Sequence, residues 1–227
     1  MVEEQSSEQE PKITEHNILV KRTARFYTSG EVYENTKTIW FVLHGFAQLA
    51  KKFISEFEFL AVKGDVVIAP EGLSRSNFGR ASDSHIGASW MTREDRENEI
   101  DDYVEYLDTL YKEVLKNRNT DLKINVLGFS QGGSTAVRWF VNGTSKINAL
   151  YICSSDIAKD VDLSVFRNKS NDSKIFYIYG SKDTSYSNKN FSDSLDFLKQ
   201  NNIIFTEKTF EGGHDINSEL LKELSLE

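Results

Sequence analysis

The sequence has a single cysteine, Cys153, among its 227 residues. No disulfide can form within the chain, so its stability must come from a packed core. The run Leu150-Tyr151-Ile152-Cys153 reads as a buried strand, in which the thiol serves as a small core hydrophobe rather than a nucleophile. Long hydrophobic runs are missing too, and nothing approaches the roughly 20 apolar residues of a membrane span. Residues 1–12 are acidic and polar, the pattern of neither a signal peptide nor an anchor. A soluble, cytoplasmic protein with no stable membrane anchor is expected. Positive charge is in deficit: 27 Lys and Arg stand against 35 Asp and Glu, a net −8. That balance argues against nucleic acid as a partner. There is no His-Glu-x-x-His, no cysteine pair and no carboxylate–histidine set at metal spacing. The glycines from Gly128 to Gly133 lack the Lys-Ser/Thr ending of a phosphate loop. Neither a metal nor a cofactor is expected.

What is present is alternation. Length favours one domain, expected over residues 15–227 after a flexible tail at 1–14. A β-rich start is expected at 18–26, with a turn at Ser29-Gly30. Buried-type strands follow at 38–43 and 66–69, the second closed by Pro70, with a helical pattern at 47–60 between them. Residues 71–91 read as a long irregular loop, a kind that usually has a task. Thr92 is the expected N-cap of the best-patterned helix, with Ile100, Tyr103, Val104, Leu107, Leu110, Tyr111 and Val114 at steps of three and four. Its Glu97, Glu99, Asp101 and Asp102 read as a solvated face. Strands at 122–127, 147–153, 174–179 and 203–210 alternate with helices after Ser130, at 191–198 and at 218–224. This order predicts an α/β fold, a mainly parallel sheet with helices on both faces.

The chemistry centres on Gly128-Phe129-Ser130-Gln131-Gly132. A bare Gly-x-Ser-x-Gly occurs by chance in roughly one chain in ten of this length. Its setting is more telling. A buried strand, Ile124-Asn125-Val126-Leu127, runs straight into Gly128, and a helical pattern follows Gly133. Strand, tight turn and helix form the setting of a nucleophile elbow, which presents a serine and the N–H groups of a helix start together. A serine hydroxyl needs a base. Of His16, His44, His85 and His214, only His214 lies downstream, where this arrangement puts it. The orienting acid belongs between the two. Asp183, after the strand ending Tyr177-Ile178-Tyr179-Gly180, is the first choice and Asp156 the alternative. Asp215 is too close in sequence to reach the His214 ring. At the end of the strand 38–43, the backbone N–H of Phe46 is expected to join that of Gln131 as an oxyanion donor. His44 itself reads as structural.

Together these residues resemble the phospholipase/carboxylesterase family of α/β-hydrolases, which includes carboxylesterases and acyl-protein thioesterases. Gly128-Phe129-Ser130-Gln131-Gly132-Gly133 is similar to its nucleophile run. His44-Gly45-Phe46 is similar to its oxyanion segment, Gly180-Ser181-Lys182-Asp183 to its acid motif and Gly213-His214 to its histidine motif. Ser89-Trp90 falls where that family has a Ser-Trp. The likeness spans roughly residues 38–220. Two departures stand out: Phe46-Ala47-Gln48 where the family has Gly and Asp after His-Gly, and Met91-Thr92-Arg93 where it has Phe-Asp. The resemblance implies an α/β-hydrolase fold and a serine hydrolase acting on a small-molecule carboxylic ester or thioester through an acyl-serine. It also implies a pocket lined by Leu73, Phe78, His85 and Trp90, with Trp90 alternatively a core aromatic pinning its loop. Arg75 and Arg80 read as solubilising or as contacts for an anionic group. A peptidase of the same fold and a non-catalytic binding module are the competing functions.

Overall fold

Residues 12–33, 36–62, 64–80, 82–116 and 122–226 are described by the computed structural model. The strands are β1 (Phe26–Ser29), β2 (Thr38–Leu43), β3 (Val66–Pro70), β4 (Ser74–Phe78), β5 (His85–Ser89), β6 (Lys123–Phe129), β7 (Ala149–Cys153), β8 (Lys174–Gly180) and β9 (Thr206–Phe210). Seven of them form one sheet in the order β1-β3-β2-β6-β7-β8-β9. Only β1 runs antiparallel to its neighbour, and the other pairings are parallel.

Strand β2 shows how the sequence builds two layers. It is apolar throughout, as a strand buried on both faces requires. Ile39, Phe41 and Leu43 point into one core, and Trp40 and Val42 into the other. The first core packs under α3 (Arg96–Leu115), α4 (Gln131–Asn142), α5 (Leu163–Asp172) and α6 (Asn188–Gln200). The second packs under α1 (Ala50–Phe53), α2 (Glu58–Val62) and α7 (Ser218–Leu224). The α/β architecture expected from the alternation is observed, and so is the α/β-hydrolase fold that the resemblance implies.

One buried carboxylate joins the layers' connections. Asp108 on α3 accepts bonds from Trp139 Nε1 (2.8 Å), from the Thr144 N–H (2.7 Å) and Oγ1 (2.6 Å), and from the Ser145 N–H (3.2 Å) and Oγ (2.6 Å). Burial alone would raise its pKa. The donors outweigh that and bring it down to about 2.

Several local expectations are corrected. The start expected at 18–26 is a strand only from Phe26, and Ile18, Leu19 and Val20 stand exposed without regular structure. They have the right propensity but pair with no strand of the sheet. The 47–60 helix begins at Ala50 and is broken by a 3-10 turn, Ile54–Phe57. Residues 71–91 are not irregular: β4 and β5 form an antiparallel hairpin. Thr92 does not cap α3. Asp95 holds that position, and Thr92 Oγ1 bonds the Glu94 carbonyl instead. Helix α5 was not expected at all. Most of the tail expected at 1–14 lies outside the described residues.

Candidate active site

Ser130 sits where β6 turns into α4. Its φ is 54° and its ψ −121°, a conformation that costs a non-glycine residue on the order of 1–3 kcal/mol. The surroundings enforce it. Ser130 N–H donates to the Cys153 carbonyl (2.9 Å), and Gly133 N–H to the Ser130 carbonyl (2.9 Å). Gly128 is required by crowding, since a Cβ there would lie 2.1 Å from the Gly132 carbonyl oxygen. The strained turn lifts Ser130 out of the sheet, half-buried at the head of a helix.

The segment after β2 lies against it, with Gly45 so close that a Cβ would come 3.2 Å from Ser130 Cβ. Buried His44 pins this segment. Its Nε2 accepts the Gly72 N–H (3.0 Å), so Nδ1 carries the proton and donates to the Gly45 carbonyl (2.8 Å). Burial lowers the His44 pKa and keeps the ring neutral. Trp90 Nε1 donates to the His44 carbonyl (2.8 Å). Gln48 Oε1 takes the Gly45 N–H (2.7 Å). The next N–H, that of Phe46, and the N–H of Gln131 have no hydrogen-bond partner among the described residues. Gln131 follows Ser130, and Phe46 follows Gly45, the residue nearest Ser130 in this segment.

Asp183 follows β8 and His214 follows β9, and the two loops are stitched together. Ser181 N–H donates to the Phe210 carbonyl and Lys182 N–H to the Gly212 carbonyl, both at 2.9 Å. Gly180 permits this approach, because a Cβ there would lie 2.3 Å from the Gly213 carbonyl oxygen. His214 Nδ1 lies 2.8 Å from Asp183 Oδ2. The other oxygen, Oδ1, accepts the N–H groups of Ser185 (2.8 Å) and Tyr186 (3.1 Å). Asp156, the alternative acid, is engaged elsewhere. It bonds Asn190, and burial raises its pKa.

The His214 ring is held between Phe129 (centroids 4.7 Å apart) and Tyr186 (5.5 Å, 29° between planes). Burial pushes the Tyr186 phenol above its usual pKa. Sequence reasoning missed Tyr186. Its only signal is its place three residues after Asp183.

Beside His214 opens a cleft of about 520 Å³. Leu49, Phe53, Ile86, Phe129 and Ile216 give it apolar walls, and Lys52, Glu56 and Asp215 add charge. Of the four residues expected to line a pocket, His85 does so. Phe78 packs edge-on against the exposed Phe46 (5.0 Å). Trp90 is only 2% exposed and sits in the core, and Leu73 is half-buried with its carbonyl bonded by Arg22. Neither lines this cleft. Arg75 pairs with the buried Glu71 carboxylate (3.2 Å), while Arg80 is exposed.

Solved structures share this architecture. The acyl-protein thioesterase 2 of Zea mays superposes with a TM-score of 0.66 at 18% identity, over 89% of this chain and 96% of that one. A Bacillus cereus carboxylesterase gives 0.65 at 12% identity, over 89% and 92%. Esterase PE8 gives 0.64 at 18%, over 90% and 97%. At such identities the likeness establishes the fold. No curated protein matches the sequence. The family model described as Phospholipase/Carboxylesterase matches residues 34–226. With most of its length matched, the chain belongs to the phospholipase/carboxylesterase family.

Proposed function

We propose that this esterase-type hydrolase cleaves small-molecule carboxylic esters or thioesters through an acyl-Ser130 intermediate. The observation that carries the reading is the 2.8 Å contact between His214 Nδ1 and Asp183 Oδ2, with the His214 ring packed on Phe129, the residue before a serine on a strained elbow. The carboxylate accepts a hydrogen bond from Nδ1–H, which keeps the ring proton on Nδ1 and leaves Nε2 free as the base. His214 accepts the Ser130 proton as Oγ attacks the acyl carbon, and returns it to the leaving alcohol or thiol. It then takes a proton from water, which attacks the acyl-enzyme and releases the acid. The Phe46 and Gln131 N–H groups receive the charge on the carbonyl oxygen, and each such donor is typically worth about 10²–10³ in rate. Because His214 lines the cleft and hands the proton to the leaving group, the cleft is the side on which that group departs.

A fluorophosphonate probe and p-nitrophenyl acetate test this. Covalent labelling at Ser130 and burst kinetics are expected, both lost in Ser130→Ala. The reading fails if the wild-type protein neither labels nor turns over. Labelling also separates it from a non-catalytic module that keeps the elbow as structure.

A further inference from the structure

Two recesses open near the elbow, one on each face of the sheet. The cleft beside His214 lies on the second-core side, where Phe53 and Phe129 belong to that core and Ile216 packs against it. The other recess, of about 360 Å³, lies on the first-core side, where α4 and α6 start. Ser134 brings it within one turn of α4 from Ser130. The two differ in character. The cleft has apolar walls, and its charges, Lys52, Glu56 and Asp215, sit on exposed residues. The recess is lined by Arg96, Arg138, Lys159 and Asp193. An apolar chain laid there would strip water from these charges and give nothing in return.

Ile86 on β5 is 59% exposed and faces the cleft. Beside it, His85, Phe78 and Phe46 form a run of rings with centroids 6.1 and 5.0 Å apart. Exposed apolar surface gathered at a reactive centre is the mark of a ligand groove. We propose that this chain selects its ester by the alcohol. The cleft takes a bulky apolar alcohol, aromatic or branched, the acyl group is short, and Ile86 is a specificity-determining residue. This rests on the acyl-serine reading above, in which His214 hands its proton to the leaving group and so must face it. The cleft volume of about 520 Å³ lies within the roughly 300–1,000 Å³ of small-molecule sites. Contact with Leu49, Phe53 and Ile86 removes the alcohol's apolar area from water, and that contact persists in the transition state because the alcohol has yet to leave. Once it has gone, the same cleft admits the water that deacylates Ser130.

Two ester series separate the halves of the substrate. Ethyl acetate and 2-phenylethyl acetate share the acyl group, and p-nitrophenyl acetate and octanoate share the leaving group. kcat/KM is expected to be about ten- to a hundredfold higher for 2-phenylethyl than for ethyl acetate, the scale of burying one phenyl-sized group. Octanoate should be no faster than acetate. Ile86→Ser should cut the 2-phenylethyl to ethyl ratio by about three- to fivefold. Ile204→Ser replaces an equally exposed isoleucine (60%) outside the cleft and should leave the ratio as it is. The proposal is overturned if the wild-type ratio stays below tenfold, if Ile86→Ser keeps it, or if octanoate outruns acetate. In each case the hydrolase reading stands, because the esters are still turned over. A wild type that neither labels with a fluorophosphonate nor turns over any of the four overturns both.

Discussion

Asp183 spends one carboxylate oxygen on His214 Nδ1 and the other on the N–H groups of Ser185 and Tyr186. The acid is therefore fixed by its own loop before it fixes the imidazole. An amide at this position can present its NH₂ to Nδ1 and put the ring proton on Nε2, where it blocks the base. Asp183→Asn is expected to lower kcat on p-nitrophenyl acetate by about 10⁴ with little change in KM. Asp156→Asn is the control and should stay within a few-fold of wild type. The reverse pattern would give the orienting role to Asp156.

The places of Ser130 and Asp183 were legible in the sequence because each follows an apolar strand, and both-face burial writes such strands as plain hydrophobic runs. His214 follows the polar edge strand β9 and was singled out by its place downstream of Ser130. The hairpin of β4 and β5 was not legible. Ser74-Arg75-Ser76-Asn77-Phe78 has neither alternation nor β-propensity. It is a strand because it pairs with β5, and β5 is itself held where the Ala47 N–H donates to the Ala88 carbonyl and the Ala88 N–H to the Gln48 carbonyl. These contacts span some forty residues and leave no local signal. Helix α5 was overlooked for a different reason. It buries only Phe166 and Ser170, so its face carries almost no pattern, although Asp162 caps it through the Ser164 and Val165 N–H groups. Tyr186 was invisible because its contacts with Asp183 and His214 meet only in the fold.

The Gln131 side chain ties the hairpin exit to the elbow. Its Oε1 accepts the Trp90 N–H (3.1 Å), and its Nε2 donates to the Met91 carbonyl (2.8 Å). Gln131→Ala leaves both backbone groups without this partner. A loss of about 1–2 kcal/mol is expected, seen as a melting point lower by roughly 2–8 °C. Since the Gln131 N–H is a proposed oxyanion donor, kcat should drop with it, by about tenfold. Gln131→Glu, which still accepts from Trp90 but cannot donate to Met91, should fall between the two.

Acid should destabilise the protein in two separate windows. Burial depresses the His44 pKa below the unfolded value of 6.5. The unfolded chain then binds the extra proton, and stability falls as pH drops below about 6.5. Asp108 is depressed from 3.8 to about 2. Its contribution is complete above pH 4 and is lost as pH falls through 2. The shift corresponds to about 2 kcal/mol. Urea unfolding at a series of pH values should show both declines. Asp108→Asn should shrink the lower one, to which the depressed carboxylates of Asp160 and Asp162 also contribute, and keep the upper.

Cys153 ends β7 inside the second core, and burial alone pushes its thiol pKa far above the ordinary range. Its carbonyl accepts the Ser130 N–H, so the thiol lies one residue contact from the proposed nucleophile without being reactive itself. A thiolate is the attacking species in disulfide exchange, and here it can form only when the sheet opens. Native protein is expected to resist Ellman's reagent for hours, while one thiol per chain titrates at once in guanidinium. Thiol-directed inhibitors should accordingly leave esterase activity intact. Rapid labelling of the native protein with loss of activity would show that β7 opens locally, and that the elbow it braces is less rigid than the φ of Ser130 requires.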